Sequence, residues 1–122
     1  MKKIIKPLKK YIPKPWGSEL IWAETDDYVG KLITIDHGHK LSRQYHNLKE
    51  ETIFVLTGTL ILEIGIGKGI ERHELRRGDN FHIHPGLIHR FVADCGTVEI
   101  MEVSTTQLGD VIRLEDEYDS NK

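Results

Sequence analysis

Short runs of β-branched and aromatic residues, each ended by glycine, aspartate or asparagine, follow one another along most of this 122-residue chain. Such runs are too short for helices of ordinary length and have the composition of strands. Within Thr59–Ile64, every even-numbered residue is leucine or isoleucine, as in a strand with one buried face. Many short strands at close spacing predict an all-β sandwich or barrel.

The length fits a single domain, which we divide into a proline-broken N-terminal arm at 1–18 and a barrel with a short C-terminal tail at 19–122. The segment Arg113–Tyr118 is expected to form a helical turn. Turns are predicted at 57–59 (TGT), 65–69 (GIGKG) and 76–80 (RRGDN). The predicted strands are Glu19–Ala23, Val29–Asp36, Lys40–His46, Thr52–Leu56, Thr59–Ile64, Ile70–Leu75, Asn80–Ile83, His89–Ala93 and Val98–Val103.

Charge and apolar content narrow the class of protein. The formal net charge of −2 gives no general field for nucleic acid. No apolar run approaches the length of a membrane span or a signal peptide, so we expect a cytoplasmic protein without a membrane partner. The single cysteine, Cys95, excludes an intramolecular disulfide and a thiolate metal cluster.

Four side chains form a candidate metal site. Gln44 and His46 are two residues apart and therefore share one face of a strand. Glu51 follows across a turn and can return to that face, and His89 begins a later strand. If these groups converge inside a barrel, one anionic and three neutral ligands suit a divalent first-row metal such as zinc, iron, cobalt, nickel or manganese.

The alternative is that these histidines are ordinary solvated or packed residues, since the chain contains seven of them. His82 and His84 are also two apart, and we interpret that pair as sheet or pocket residues. Trp16 and Trp22 could stack on a sugar, although packing at the end of the barrel explains them as well.

The spacing of Gly38, Gln44, His46, Glu51 and Gly58 resembles the first motif of the cupin superfamily. The commonest form of that motif has histidine where Gln44 stands here. Membership of this superfamily implies a double-stranded β-helix, also called a jelly-roll barrel.

The spacing of Gly78, His84, Gly86 and His89 resembles the second cupin motif. Two departures are present: the usual proline position is occupied by His84, with Pro85 one residue later, and the usual closing asparagine falls at Ala93. Both motifs occur in the expected order.

Within the cupins, the chain looks most like the isomerase domain of type II phosphomannose isomerases, which is the C-terminal half of a bifunctional isomerase/guanylyltransferase. The similar segments are KPWGSE at 14–19, LSRQYHNLKEETIFVLTGT at 41–59, HPGLIHRF at 84–91 and DVIRLEDEY at 110–118. The tail departs from the family's Tyr-Gly-Arg ending, because Asp119 and Ser120 follow Tyr118.

This resemblance implies that Gln44, His46, Glu51 and His89 bind a divalent metal ion, with zinc the first choice. It implies isomerisation of mannose 6-phosphate to fructose 6-phosphate. Because the nucleotidyltransferase half has no counterpart here, guanylyltransferase activity is not expected.

The isomerisation also needs a base for the moving proton and cations for the phosphate. The candidate catalytic residues are His39, His84 and Arg113, with Glu50 or a metal-bound hydroxide as further choices for the base. Lys14 and Arg113 lie in family-like segments and are the candidate phosphate contacts.

Two other functions remain open. The chain could be a metal-containing cupin that binds a sugar or sugar nucleotide without turnover. Alternatively, His46, Glu51 and His89 form the two-histidine, one-carboxylate set of non-haem iron dioxygenases. In each case we expect a homodimer, formed through edge strands.

Overall fold

The computed structural model describes residues 10–118, and within that range it contains strands, turns and loops but no helix. The eleven strands are β1 (Lys10–Lys14), β2 (Gly17–Glu24), β3 (Val29–Ile35), β4 (Arg43–Tyr45), β5 (Glu51–Thr57), β6 (Thr59–Ile64), β7 (Glu71–Arg76), β8 (Asn80–Ile83), β9 (His89–Val92), β10 (Val98–Ser104) and β11 (Ile112–Glu115).

The strands form two antiparallel sheets that face each other. The six-stranded sheet has the order β1-β2-β3-β10-β5-β8, and the five-stranded sheet has the order β11-β4-β9-β6-β7. Consecutive strands alternate between the sheets along much of the chain, which is the arrangement of a jelly roll. The expected all-β jelly-roll fold is confirmed.

Alternating residues of both sheets fill the space between them. On β5 and β10, Ile53, Val55, Val98 and Ile100 are fully buried, and the residues between them face outward. Leu60 and Leu62 of β6 meet them from the opposite sheet. This period of two explains why the sequence pattern located these strands.

The predicted strands all overlap observed ones, and the bounds of β6 and β8 agree with the prediction. The predicted helical turn at 113–118 is wrong, because Ile112–Glu115 forms the strand β11 and pairs with β4. Pairing with β4 supplies the backbone hydrogen bonds of this segment, and the Arg43 guanidinium binds the Glu115 carboxylate beside it. These long-range contacts outweigh the local helical preference of Leu114 and Glu115.

Two arginines lie beneath β11 and the C-terminal segment instead of on the surface. Arg43 is buried, and its guanidinium pairs with Glu63 at 2.8 Å and donates to the carbonyl oxygen of Gly65 at 3.1 Å. Arg90 is also buried and donates to the carbonyl oxygen of Leu41 at 2.8 Å. Both point away from the interior between the sheets, and their ion pairs hold the C-terminal segment against the smaller sheet.

Part of the predicted N-terminal arm is strand: Lys10–Lys14 forms β1, the edge strand of the larger sheet, and pairs with β2. The rest of the arm, residues 1–9, and the tail residues 119–122 lie outside the described part of the chain.

Across the described residues, no helix has the length and apolar character needed to cross a membrane.

Gly58 makes the turn between β5 and β6 possible. Its φ of +80° is unfavourable for other residues, and a Cβ built there would lie 2.4 Å from the carbonyl oxygen of Thr97. Gly67 has a similar φ of +69°, but no atom lies within 4 Å of its Cβ position.

We expect Gly58→Ala to lower the free energy of unfolding by about 3 kcal/mol, because backbone strain and a clash with Thr97 add together. Gly67→Ala is the matched control and should cost about 1 kcal/mol, from φ alone. Urea denaturation measures both. Equal losses for the two variants would contradict the clash as the main cause.

Candidate metal centre

His46, Glu51 and His89 converge between the two sheets, and all three are buried. Nε2 of His46 lies 3.7 Å from Oε2 of Glu51, and Nε2 of His89 lies 3.8 Å from Oε1 of Glu51. One donor atom from each residue lies within 4.8 Å of the other two. The structure therefore brings together three of the four predicted ligands in a set that could hold a metal ion.

Backbone carbonyls fix the orientation of both imidazole rings. Nδ1 of His46 donates to the carbonyl oxygen of Asp110 at 2.6 Å, and Nδ1 of His89 donates to that of Leu87 at 2.9 Å. Because a carbonyl only accepts, Nδ1 carries the proton in each neutral ring and Nε2 keeps its lone pair. A hydrogen bond from the second ring nitrogen is the usual support of a metal-binding histidine.

Burial keeps both rings neutral. It lowers the pKa of His46 below its usual range, although the Asp110 carbonyl opposes this shift. Burial lowers the pKa of His89 to about 4, against the opposing hydrogen bond to Leu87. Neutral imidazoles are the form that binds metal at neutral pH.

At the centre of the cluster, Oε2 of Glu51 pairs with the Lys49 ammonium at 2.8 Å. Nε2 of His46 and Nε2 of His89 have no hydrogen-bond partner among the described residues. Buried polar atoms are rarely left this way, because each one costs free energy. Two imidazole nitrogens and a carboxylate oxygen are ligands that zinc and other first-row metals accept, so the residues present fit a divalent cation.

Gln44, the fourth predicted ligand, lies directly opposite His89 in the pairing of β4 with β9. Cross-strand partners share one face of a sheet, so both side chains face the interior. Its Oε1 accepts a hydrogen bond from the Ser42 hydroxyl at 2.6 Å. A carbonyl oxygen has a second lone pair, and the role of Gln44 as a ligand stays a prediction.

Asp110 holds the turn that carries His46. Its carboxylate accepts hydrogen bonds from the backbone N–H groups of Asn47, Leu48 and Lys49 at 2.6–3.0 Å. These donors lower the pKa of the Asp110 carboxyl below its ordinary value. The same residue orients His46 through its backbone carbonyl, so one loop position supports the ligand in two ways.

Two further charged side chains are buried beside the cluster. Nζ of Lys49 lies 2.8 Å from Oε2 of Glu51 and 3.3 Å from Oε2 of Glu102. Burial alone would lower the pKa of Lys49, but the charges of Glu102 and Glu51 outweigh it and raise the pKa above the ordinary value. Lys49 is therefore an ammonium that bridges two carboxylates.

A cavity of about 240 Å³ opens beside these groups. Gln44 and Glu51 line it, as do the two predicted phosphate contacts, Lys14 and Arg113. Arg113 is the cross-strand partner of Gln44, and Gln44 is the cross-strand partner of His89. The three residues therefore lie side by side across β11, β4 and β9. Trp16 packs into the core and also lines the cavity, whereas Trp22 is exposed.

His39 and His84, the predicted proton-transfer residues, are not among the residues that line this cavity. Nδ1 of His39 lies 2.6 Å from the Tyr118 hydroxyl. His84 is exposed, and its ring contacts that of His82. The structure thus brings Arg113, but neither histidine, to the cavity.

Sequence reasoning missed Lys49, Glu102 and Lys31, all of which line the cavity. The sequence did contain a pattern that indicated Glu102 and Lys31. Glu102 continues the buried series Val98 and Ile100 on β10, and Lys31 precedes Ile33 in the same phase on β3. A charged residue in phase with buried apolar residues indicates a charge that faces the interior.

The family model described as "Cupin domain" matches residues 31–104. The chain is 30% identical over 106 residues to mannose-1-phosphate guanylyltransferase RfbM of Salmonella typhimurium, a match that covers 84% of this chain but only 21% of the relative. The chain thus spans about a fifth of the length of that curated relative.

Solved structures with the same fold include the capsular polysaccharide assembling protein CapF of Staphylococcus aureus, with a TM-score of 0.78 and 14% identity over 88% of this chain and 34% of CapF. KdgF of Halomonas sp. has a TM-score of 0.71 and 20% identity over 82% of this chain and 90% of its own. At these identities the likeness shows the fold alone.

Replacing Asp110 by alanine should weaken metal binding at least about 10-fold, because the turn at 47–49 next to His46 loses its acceptor, while the backbone carbonyl that orients the His46 ring is kept. Asp110→Asn, which keeps one acceptor oxygen, should lose less. Chelator competition with zinc measures the affinity, and Asp26→Ala in the exposed β2–β3 loop is the control. Unchanged affinity in Asp110→Ala would contradict the supporting role.

Proposed function

The chain belongs to the cupin family, and from this premise we propose that it is a metal-dependent sugar-phosphate isomerase that interconverts mannose 6-phosphate and fructose 6-phosphate. One observation carries the proposal: a single cavity joins the candidate metal ligands Gln44 and Glu51 to two cations, Lys14 and Arg113. A sugar phosphate needs both features, one at its carbonyl end and one at its phosphate.

The similarity to RfbM supports a role in sugar metabolism. RfbM is named for a reaction of mannose 1-phosphate, and the phosphomannose isomerase resemblance of the sequence motifs concerns the same sugar. Because the match covers only a fifth of RfbM, the specific isomerase activity is our proposal.

His46, Glu51 and His89, with Gln44 as the fourth ligand, would hold the divalent metal ion, which we propose to be zinc, with manganese, cobalt, nickel or iron as alternatives. When bound, the ion would act as a Lewis acid that polarises the sugar carbonyl. The surrounding side chains exclude bulk water from this part of the cavity, because His46, Glu51 and His89 are almost completely buried.

Lys14 and Arg113 would bind the phosphate. Within residues 10–118 neither side chain forms an ion pair, whereas Arg43 and Arg90 are both paired with glutamates. A guanidinium with its donors available suits bidentate binding of a phosphate. Because Arg113 shares a face with Gln44, phosphate binding there would place the sugar over the ligand set.

The alternative is a metal-containing cupin that binds a sugar or sugar nucleotide without turnover. This alternative is favoured by one observation, that His39 and His84 do not line the cavity.

The predicted homodimer and the cytoplasmic location stay predictions. The exposed Trp22, Phe54 and Val103 are apolar side chains that a dimer interface could cover.

Metal-stripped protein, reloaded separately with zinc, cobalt, manganese, nickel or iron(II), should convert mannose 6-phosphate to fructose 6-phosphate in a coupled assay. His46→Ala should bind the metal poorly and lose turnover. Stoichiometric metal binding without turnover for any of these metals would contradict the isomerase and favour the binding protein.

A further inference from the structure

Glu102 is a buried carboxylate that none of the preceding roles explains. It lies on β10 between Lys31 of β3 and Ile53 of β5, its partners in the two strand pairings. Only 3% of its surface is exposed, yet it lines the same cavity as Glu51 and Arg113. Its Oε2 lies 3.3 Å from Nζ of Lys49, the ammonium that also pairs with Glu51.

Packing does not explain a carboxylate at this position. The inward residues before Glu102 on β10 are Val98 and Ile100, and the one after it is Ser104. An aliphatic side chain would extend the apolar part of this row. A buried ion pair is weak evidence of added stability, because desolvation of both charges offsets their attraction. A buried carboxylate with a specific charge partner at the wall of a cavity is a candidate for a ligand-binding or reacting group.

Lys49 ties Glu102 to the candidate metal centre. Its ammonium lies between Oε2 of Glu102 and Oε2 of Glu51, at 3.3 Å and 2.8 Å. The two carboxylates therefore flank one cation, and both border the cavity. A sugar bound in this cavity would therefore meet Glu102 as well as the candidate ligand Glu51.

The electrostatics of Glu102 suit proton transfer. Burial raises the pKa of Glu102 above its usual range, and the negative charge of Glu51 adds to the shift, while Lys49 and Lys31 oppose it. A carboxylate raised in this way is a stronger base than an exposed glutamate and works best near its own pKa. The competing candidates are placed elsewhere: His39 contacts Tyr118, and Glu50 is exposed beside His82.

We propose that Glu102 is the base that moves the proton between carbons 2 and 1 of the sugar, an inference that rests on the proposed isomerase function. The Glu102 carboxylate takes the proton from carbon 2, and the electron pair of that C–H bond forms the double bond of an enediolate while the carbonyl pair moves to oxygen 1. Glu102 returns the proton to carbon 1, and the hydroxyl proton passes from oxygen 2 to oxygen 1. Atoms and electrons balance without an external oxidant or reductant.

The test compares Glu102→Gln, which keeps the shape but cannot accept the proton, with Glu102→Asp, which keeps the carboxylate. Glu99→Gln is the control, since Glu99 lies on the same strand, faces outward and accepts from the Thr57 hydroxyl. Four quantities are measured for each variant: zinc content, mannose 6-phosphate affinity by calorimetry, turnover, and deuterium incorporation at carbons 1 and 2 in D₂O.

We expect Glu102→Gln to bind zinc and mannose 6-phosphate within about threefold of the unchanged protein, but to lose at least about 100-fold in kcat and to stop incorporating deuterium. Glu102→Asp should retain part of the kcat and part of the deuterium incorporation. Glu99→Gln should retain both quantities in full. Retained kcat and deuterium exchange in Glu102→Gln would overturn the assignment while leaving the isomerase intact. Lost zinc or sugar binding in Glu102→Gln would also overturn it, in favour of a structural role.

Absence of turnover and deuterium exchange in the unchanged, zinc-loaded protein would instead refute the proposed isomerase, and with it any base for that reaction. The two failures are distinguishable because the first requires an active unchanged protein.

Discussion

The rest of this structure depends on two buried imidazole nitrogens that have no hydrogen-bond partner among the described residues, and on the carboxylate that faces them. Nε2 of His46, Nε2 of His89 and an oxygen of Glu51 face one another inside a β-sandwich. Leaving the two nitrogens unsatisfied costs about 1–3 kcal/mol each. Burial of the carboxylate, which pairs with Lys49 at 2.8 Å, also costs free energy. A divalent cation would offset all of these costs at once, which is why the arrangement makes physical sense as a metal centre.

The fold brings these atoms together from distant parts of the chain. His46 directly follows β4 of the smaller sheet, His89 begins β9 of that sheet, and Glu51 begins a strand of the larger one. The segment before β11 closes the arrangement, because Asp110 caps the turn after His46 and orients its ring. The same segment then enters β11, which places Arg113 across from Gln44. Metal ligands and the candidate phosphate contact therefore depend on one another structurally.

The sequence predicted the strands whose positions are determined by local periodicity. The sequence pattern predicted the bounds of β6, where apolar residues alternate, and those of β8, and it placed His46 and Glu51 on either side of a turn across which they could meet. It failed for β11, whose four residues resemble a helical turn locally and become a strand only by pairing with β4, far away in sequence. β1 was missed because Pro13 interrupts its pattern, yet proline is tolerated on an edge strand. Glu102 was recoverable from its phase on β10, but its pairing with Lys49 depends on how two strands and a turn meet.

The central claim, that His46, Glu51 and His89 bind a divalent metal ion, is tested most directly by X-ray absorption spectroscopy of the zinc-loaded protein. We expect one zinc ion per chain with two imidazole nitrogens and at least one oxygen ligand at about 2.0–2.2 Å. A zinc ion surrounded only by oxygen atoms, without the scattering pattern of imidazole, would contradict the account, as would failure of the protein to retain zinc.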